Sequence, residues 1–282
     1  MSARPNNLIL NGFDRCGSTA IARTLARHPE VEIVMQPFNS GSIRSKLYHL
    51  MNDELAAPAD IRFFEMLELG QLDTNYIQSD WHRKHSTVAA FEPGKLHVLK
   101  TTLNHFSAAW VNERFPGIEQ WGIWRDPVAM LASLVRNGFH EKWYNDAMPQ
   151  LAETVRGSEL LRPVFAEFLD SLDNHVRLTA FVLAVRTFFY FSHINGMNVL
   201  HYERFVDNPN HCFAYLMEHF ELAPFDFGCH SDCDLNVVGK VYEAGADHRD
   251  ILPRVDRAFL RAVFSPLCEV APVEMTGYEG RP

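Results

Sequence analysis

The stretch Leu8-Ile9-Leu10-Asn11-Gly12-Phe13-Asp14-Arg15-Cys16-Gly17-Ser18-Thr19 runs an apolar strand into a turn of glycine and hydroxyl residues that opens a helix. Such a turn brings backbone N–H groups and a helix N-terminus to one point, where a phosphate can be held. Gly12 and Gly17 have the spacing of the nucleotide-triphosphate loop G-x-x-x-x-G-K-[ST], yet Ser18 stands in the place of the lysine. The loop is suited to a phosphate but lacks the side chain that meets a γ-phosphate.

Outward from this loop, apolar β-rich runs at 8–13, 31–35, 97–101, 120–124 and 197–202 alternate with helical patterns. The alternation predicts an α/β domain of three layers, with a central, mostly parallel sheet covered by helices. The first helix opens at Ser18 and Thr19, carries Ile21, Ala22, Leu25 and Ala26 on one stripe, and stops at His28-Pro29. A second start is written as Arg125-Asp126-Pro127, with Asp126 as N-cap, Pro127 at the first helical position and Gly138 as terminator. The run 172–194, rich in Phe, Val and Leu, reads as a buried helix. Two polar, mixed stretches, 39–94 and 139–162, fit the alternation poorly and read as substrate-side insertions in one domain spanning 1–282.

Composition excludes several classes. The 282 residues are 47% hydrophobic, enough for a substantial core, and a net charge of −9 argues against a general nucleic-acid binder. Any anion must therefore be met by a local cluster of donors. Five scattered cysteines do not form a compact disulfide framework, and Cys229, His230 and Cys233 lack a recognisable zinc-ligand spacing, so no metal is expected. The apolar run 8–10 is too short for an export signal, and 179–191, broken by Arg186, falls short of the ~20 residues that cross a bilayer. A cytoplasmic protein without a membrane span is the expectation.

Four segments together resemble the sulfotransferases that use 3′-phosphoadenosine 5′-phosphosulfate (PAPS). Residues 14–19 resemble their 5′-phosphosulfate loop, P-[KR]-S-G-[ST]-T, with Arg15 at the basic position. Arg125-Asp126-Pro127, with Ser133 eight positions after the arginine, is similar to their 3′-phosphate motif. Leu99-Lys100-Thr101-Thr102-Leu103 resembles K-T-H-L, and Tyr202-Glu203-Arg204-Phe205 through Pro209 resembles Y-E-x-[LF]-x-x-[DN]-P. The resemblance implies a P-loop-like fold and sulfuryl transfer from PAPS to a hydroxyl or amine of a small molecule or carbohydrate. It also implies cofactor contacts from Arg15, Cys16, Gly17, Ser18, Thr19, Arg125 and Ser133, with Arg15 and Lys100 as the catalytic cations.

The residues carry a matching physical logic. A nucleotide with a phosphate at each end of its ribose needs two anion sites: Arg15 with the amides of Gly17 to Thr19 supplies one, and Arg125 with Ser133 the other. Cys16 reads as a replacement for a serine whose backbone N–H is what counts. The general base is missing from both usual places: Thr102 stands for the histidine of K-T-H-L, and Gln36, before Pro37-Phe38, for the glutamate of E-P-F. Neither group takes up a proton at neutral pH. His105 is the favoured substitute, with His49, His82 and His140 as others. Two rival readings remain, a nucleotide-kinase-like phosphotransferase and a nucleotide-binding protein that does not catalyse.

Overall fold

In the computed structural model, residues 6–36, 48–72, 86, 90–137, 141–228 and 257–270 are described. Five strands, β1 (Asn7–Asn11), β2 (Val31–Met35), β3 (Leu96–Thr101), β4 (Ile118–Trp124) and β5 (Val199–His201), form one all-parallel sheet in the order β2-β3-β1-β4-β5. The protein is an α/β molecule, as the alternation of patterns predicts. The connection leaving β1 reaches β2 on one side, and that leaving β4 reaches β5 on the other, so a crevice opens where the chain departs in opposite directions. Asn11 lies level with Thr101 and Gly122, which puts the loops after β1, β3 and β4 side by side at one rim.

The period-two alternation of strand side chains divides the core between the two faces of the sheet. Leu8, Leu10, Val98, Trp121 and Ile123 join a large apolar cluster on one face, and Ile9, Val34, Leu99 and Ile118 a smaller one on the other. The large cluster takes up helix α1 (Ser18–Leu25), after β1. The smaller one is covered by α2 (Pro58–Glu68) and α3 (Ala108–Arg114), where Phe64 packs 5.5 Å from Trp110 and 5.4 Å from Phe115, centroid to centroid. Residues 58–68, inside the stretch read as an insertion, form a helix against this face, with Phe63, Phe64, Leu67 and Asp60 buried.

After β4, Asp126 accepts from the backbone N–H of Val128 at 2.8 Å and of Ala129 at 3.4 Å, capping α4 (Pro127–Asn137) as expected. The expected terminator, Gly138, lies outside the described residues. The stretch 139–162 is not irregular: it contains the helix α5 (Glu141–Gly157), with Pro149 inside it, followed by the short α6 (Arg162–Phe165). The buried run is α7 (His175–Phe191), started by Asn174, whose side chain accepts from the N–H of Val176 and Arg177. Every residue of α7 from Leu178 to Phe191 is buried, Arg186 included. After β5 come α8 (Tyr202–Asp207) and α9 (Pro209–His219), and later α10 (Arg257–Phe264) and α11 (Leu267–Val270). Phe259 of α10 meets Phe168 edge-on, 5.7 Å between centroids. Among the described residues no helix is long and apolar enough to cross a membrane.

Candidate functional site: a loop held from two sides

The loop from Gly12 to Gly17 leaves β1 through a hydrogen bond from the Gly12 N–H to the Thr101 carbonyl, 2.9 Å. It turns on the backbone of Cys16, whose N–H donates to the Phe13 carbonyl, while the Cys16 sulfur accepts from the Phe13 N–H, both at 3.1 Å. Burial pushes the Cys16 thiol upward in pKa, against the pull of the Phe13 N–H and the Lys100 charge. The residue is a buried free thiol. Arg15 and Gly17 both take left-handed conformations, φ 68° and 83°. That conformation suits Gly17 but strains Arg15.

Arg15 comes together with Arg125 and Ser133, although it lies more than 100 positions from both in the chain. The Arg15 Nε donates to the Ser133 hydroxyl at 3.1 Å, and a terminal nitrogen of Arg125 donates to the Arg15 carbonyl at 2.7 Å. The sequence assigns Arg15 to one anion site and Arg125 with Ser133 to another; the structure makes them one continuous cradle. Arg125 also lies over the ring of Tyr202, 4.4 Å from its centroid. Tyr202 in turn closes on Gly17, where a Cβ would fall 2.1 Å from the ring. Glu203 braces this corner by accepting from the Asp126 N–H at 3.0 Å. The N-cap of α1 is Gly17, which has no side chain to cap the helix that begins at Ser18 and Thr19.

The opposite side of the loop is held by a group that sequence reasoning missed. A terminal nitrogen of Arg186, on α7, pairs with the Asp14 carboxylate at 3.2 Å, and the Tyr144 hydroxyl of α5 donates to the same oxygen at 3.1 Å. Arg186 also donates to the carbonyl of Thr102 and to Nδ1 of His105. Burial opposes its charge, but the Asp14 carboxylate and the phenols of Tyr48 and Tyr144 outweigh that and raise its pKa. Burial first, then the Asp14 charge, pushes Tyr144 well up. The sequence signal for it is a lone arginine in the most apolar run of the chain.

Lys100 is buried on the strand face of Leu96 and Val98, under the loop. Burial lowers its pKa to about 8, opposed by the nearby Cys16 and Asp14. Next to it, the Gln36 amide donates to the Thr102 hydroxyl at 3.3 Å, so the two positions where a base is expected face each other. His105, the expected substitute, lies just beyond Thr102 in the chain. It is buried, 4.2 Å from the Phe13 ring centroid, and burial followed by the Arg186 charge holds its pKa well below the ordinary value. Because its Nδ1 accepts from Arg186, the neutral ring carries its proton on Nε2. In that tautomer its acceptor nitrogen is engaged by Arg186.

His49 is half-buried near Tyr48; His82 and His140 lie outside the described residues, as do Cys229, His230 and Cys233. Among the described residues no group of three His, Cys, Asp or Glu side chains is placed to hold a metal ion. A separate cavity of about 510 Å³ opens beside β5, lined by His201, Arg204, Cys212 and Tyr215 among others, and no residue of the loop contributes to it. A search of protein-family models and of curated proteins finds no match to the chain.

Proposed function

We propose that the protein transfers a sulfuryl group from PAPS to a hydroxyl or amine acceptor. The observation that carries this reading is the convergence of Arg15, Arg125 and Ser133 on the loop that opens α1, at the strand ends where an α/β sheet takes its ligand. Two guanidinia and a hydroxyl beside an uncapped helix N-terminus suit a ligand with two separated anionic groups. Arg125 and Ser133 take the 3′-phosphate, the amides of Gly17 to Thr19 take the 5′-phosphosulfate, and Arg15 bridges them. Lys100, under the loop, neutralises charge that develops on the leaving phosphate, since group transfer of this kind depends on positioning and charge stabilisation.

Ser18 in place of the loop lysine disfavours a kinase. Stabilisation against heat by 3′-phosphoadenosine 5′-phosphate (PAP), compared with Mg-ATP, separates the two. Binding of PAP without transfer of labelled sulfate would instead support the non-catalytic reading. Arg125→Ala is expected to weaken PAP at least tenfold more than it weakens adenosine 5′-phosphosulfate, because only PAP carries the 3′-phosphate; a lost charged hydrogen bond is worth about 1.5–3 kcal/mol. Equal losses for the two nucleotides would overturn the assignment.

A further inference from the structure

We propose that the Asp14 carboxylate takes the acceptor's proton, a role that rests on the sulfuryl-transfer reading above. The loop separates its charges. Arg15 reaches Ser133 on the α4 side, whereas Asp14 turns to the β3 side, where Lys100, the Thr102 carbonyl and Arg186 lie. If Lys100 marks the sulfuryl end, Asp14 is the loop's carboxylate at that end. Among the described residues at that end, Gln36 and Thr102 hydrogen bond to each other, and the Nδ1 of His105 accepts from Arg186.

Asp14 also meets solvent more than its ion-pair partner does, with 18% of its side chain exposed against 5% for Arg186. An acidic residue in an anion-binding loop works against the ligand unless it is neutralised. Arg186 does this from inside an apolar helix, at a desolvation cost that a purely structural contact does not require. Arg186 and Tyr144 together fix one carboxylate oxygen. Among the described residues, Arg186 from α7, Tyr144 from α5, Tyr48 from the loop before α2, and Lys100 from β3 face Asp14.

In the step itself the acceptor oxygen or nitrogen bonds to sulfur while the bond from sulfur to the 5′-phosphate oxygen breaks, its electron pair remaining on the phosphate. The acceptor's proton passes to Asp14 and from there to solvent once the products leave. Asn and Glu variants at position 14, together with Tyr144→Phe, test this. Thermal shift with PAP reports the nucleotide site, and transfer of labelled sulfate from PAPS to water, 4-methoxyphenol and 4-nitrophenol reports the chemistry.

Asp14→Asn is expected to keep the PAP shift and lose about a hundredfold or more in transfer, the ordinary contribution of a general base. The loss should be smaller for the more acidic 4-nitrophenol, the acid limb of the pH profile should disappear, Asp14→Glu should recover part of the rate, and Tyr144→Phe should cost only a few-fold. Full transfer by the Asn variant would overturn the proposal. So would loss of the PAP shift in both the Asn and Phe variants, which would make the cluster only a brace for the loop. A wild-type protein that gives no PAP shift would instead defeat the sulfuryl-transfer reading beneath it.

Discussion

At Gly17 three demands meet: a left-handed backbone, contact with the Tyr202 ring, and the start of α1. A methyl group there has no space, since its position falls 2.1 Å from a ring that Arg125 holds from the other side. Gly17→Ala is therefore expected to destabilise the protein by about 1–3 kcal/mol through strain alone and to weaken PAP by displacing Tyr202 and Arg125 together. Denaturant midpoints and PAP thermal shifts, measured side by side, check this; a variant with both unchanged would show that the loop does not depend on this contact. Gly12 and Gly17 were visible in the sequence through their spacing. The strained φ of Arg15 was not, because it follows from partners on distant helices.

Among the elements, α2 shows what a polar pattern leaves unsaid. Residues 58–68 are polar enough to read as an insertion, yet the helix seals one face of the sheet through Phe63, Phe64 and Leu67. Phe64→Ala is expected to cost about 3–5 kcal/mol, the usual cost of truncating a fully buried aromatic. Urea unfolding measures it, and a loss under 1 kcal/mol would return this stretch to the periphery. The helix α7 presents the opposite case. Its apolar composition was legible at once, but the purpose of its single buried arginine was not, since Asp14, Thr102 and His105 approach it from elements far away in sequence.

For the molecule as a whole, two histidines kept neutral by burial couple folding to pH. His105 lies well below its ordinary pKa, and His201 is lowered to about 4, in both cases by burial first and then by a neighbouring arginine. The unfolded chain binds protons at these positions from about pH 6.5 downward, while the folded chain does not, so the stability they supply is present above pH 6.5 and lost toward pH 4. Urea midpoints across that window should fall steadily with acid. A flat series would mean that neither ring is held neutral in the fold.

The sequence by itself determined the parallel α/β architecture, the loop after β1, the capped helix after β4 and the buried helix α7. Each of these is written locally, in the period of apolar residues or in the chemistry of a turn. The tertiary structure decided that Arg15 and Ser133 share one hydrogen bond, that His105 is an acceptor inside the core, and that Asp14 and Arg186 pair beneath the loop. These are meetings of side chains far apart along the chain. They depend on which strands lie next to each other and how level their ends are, and no local pattern records that.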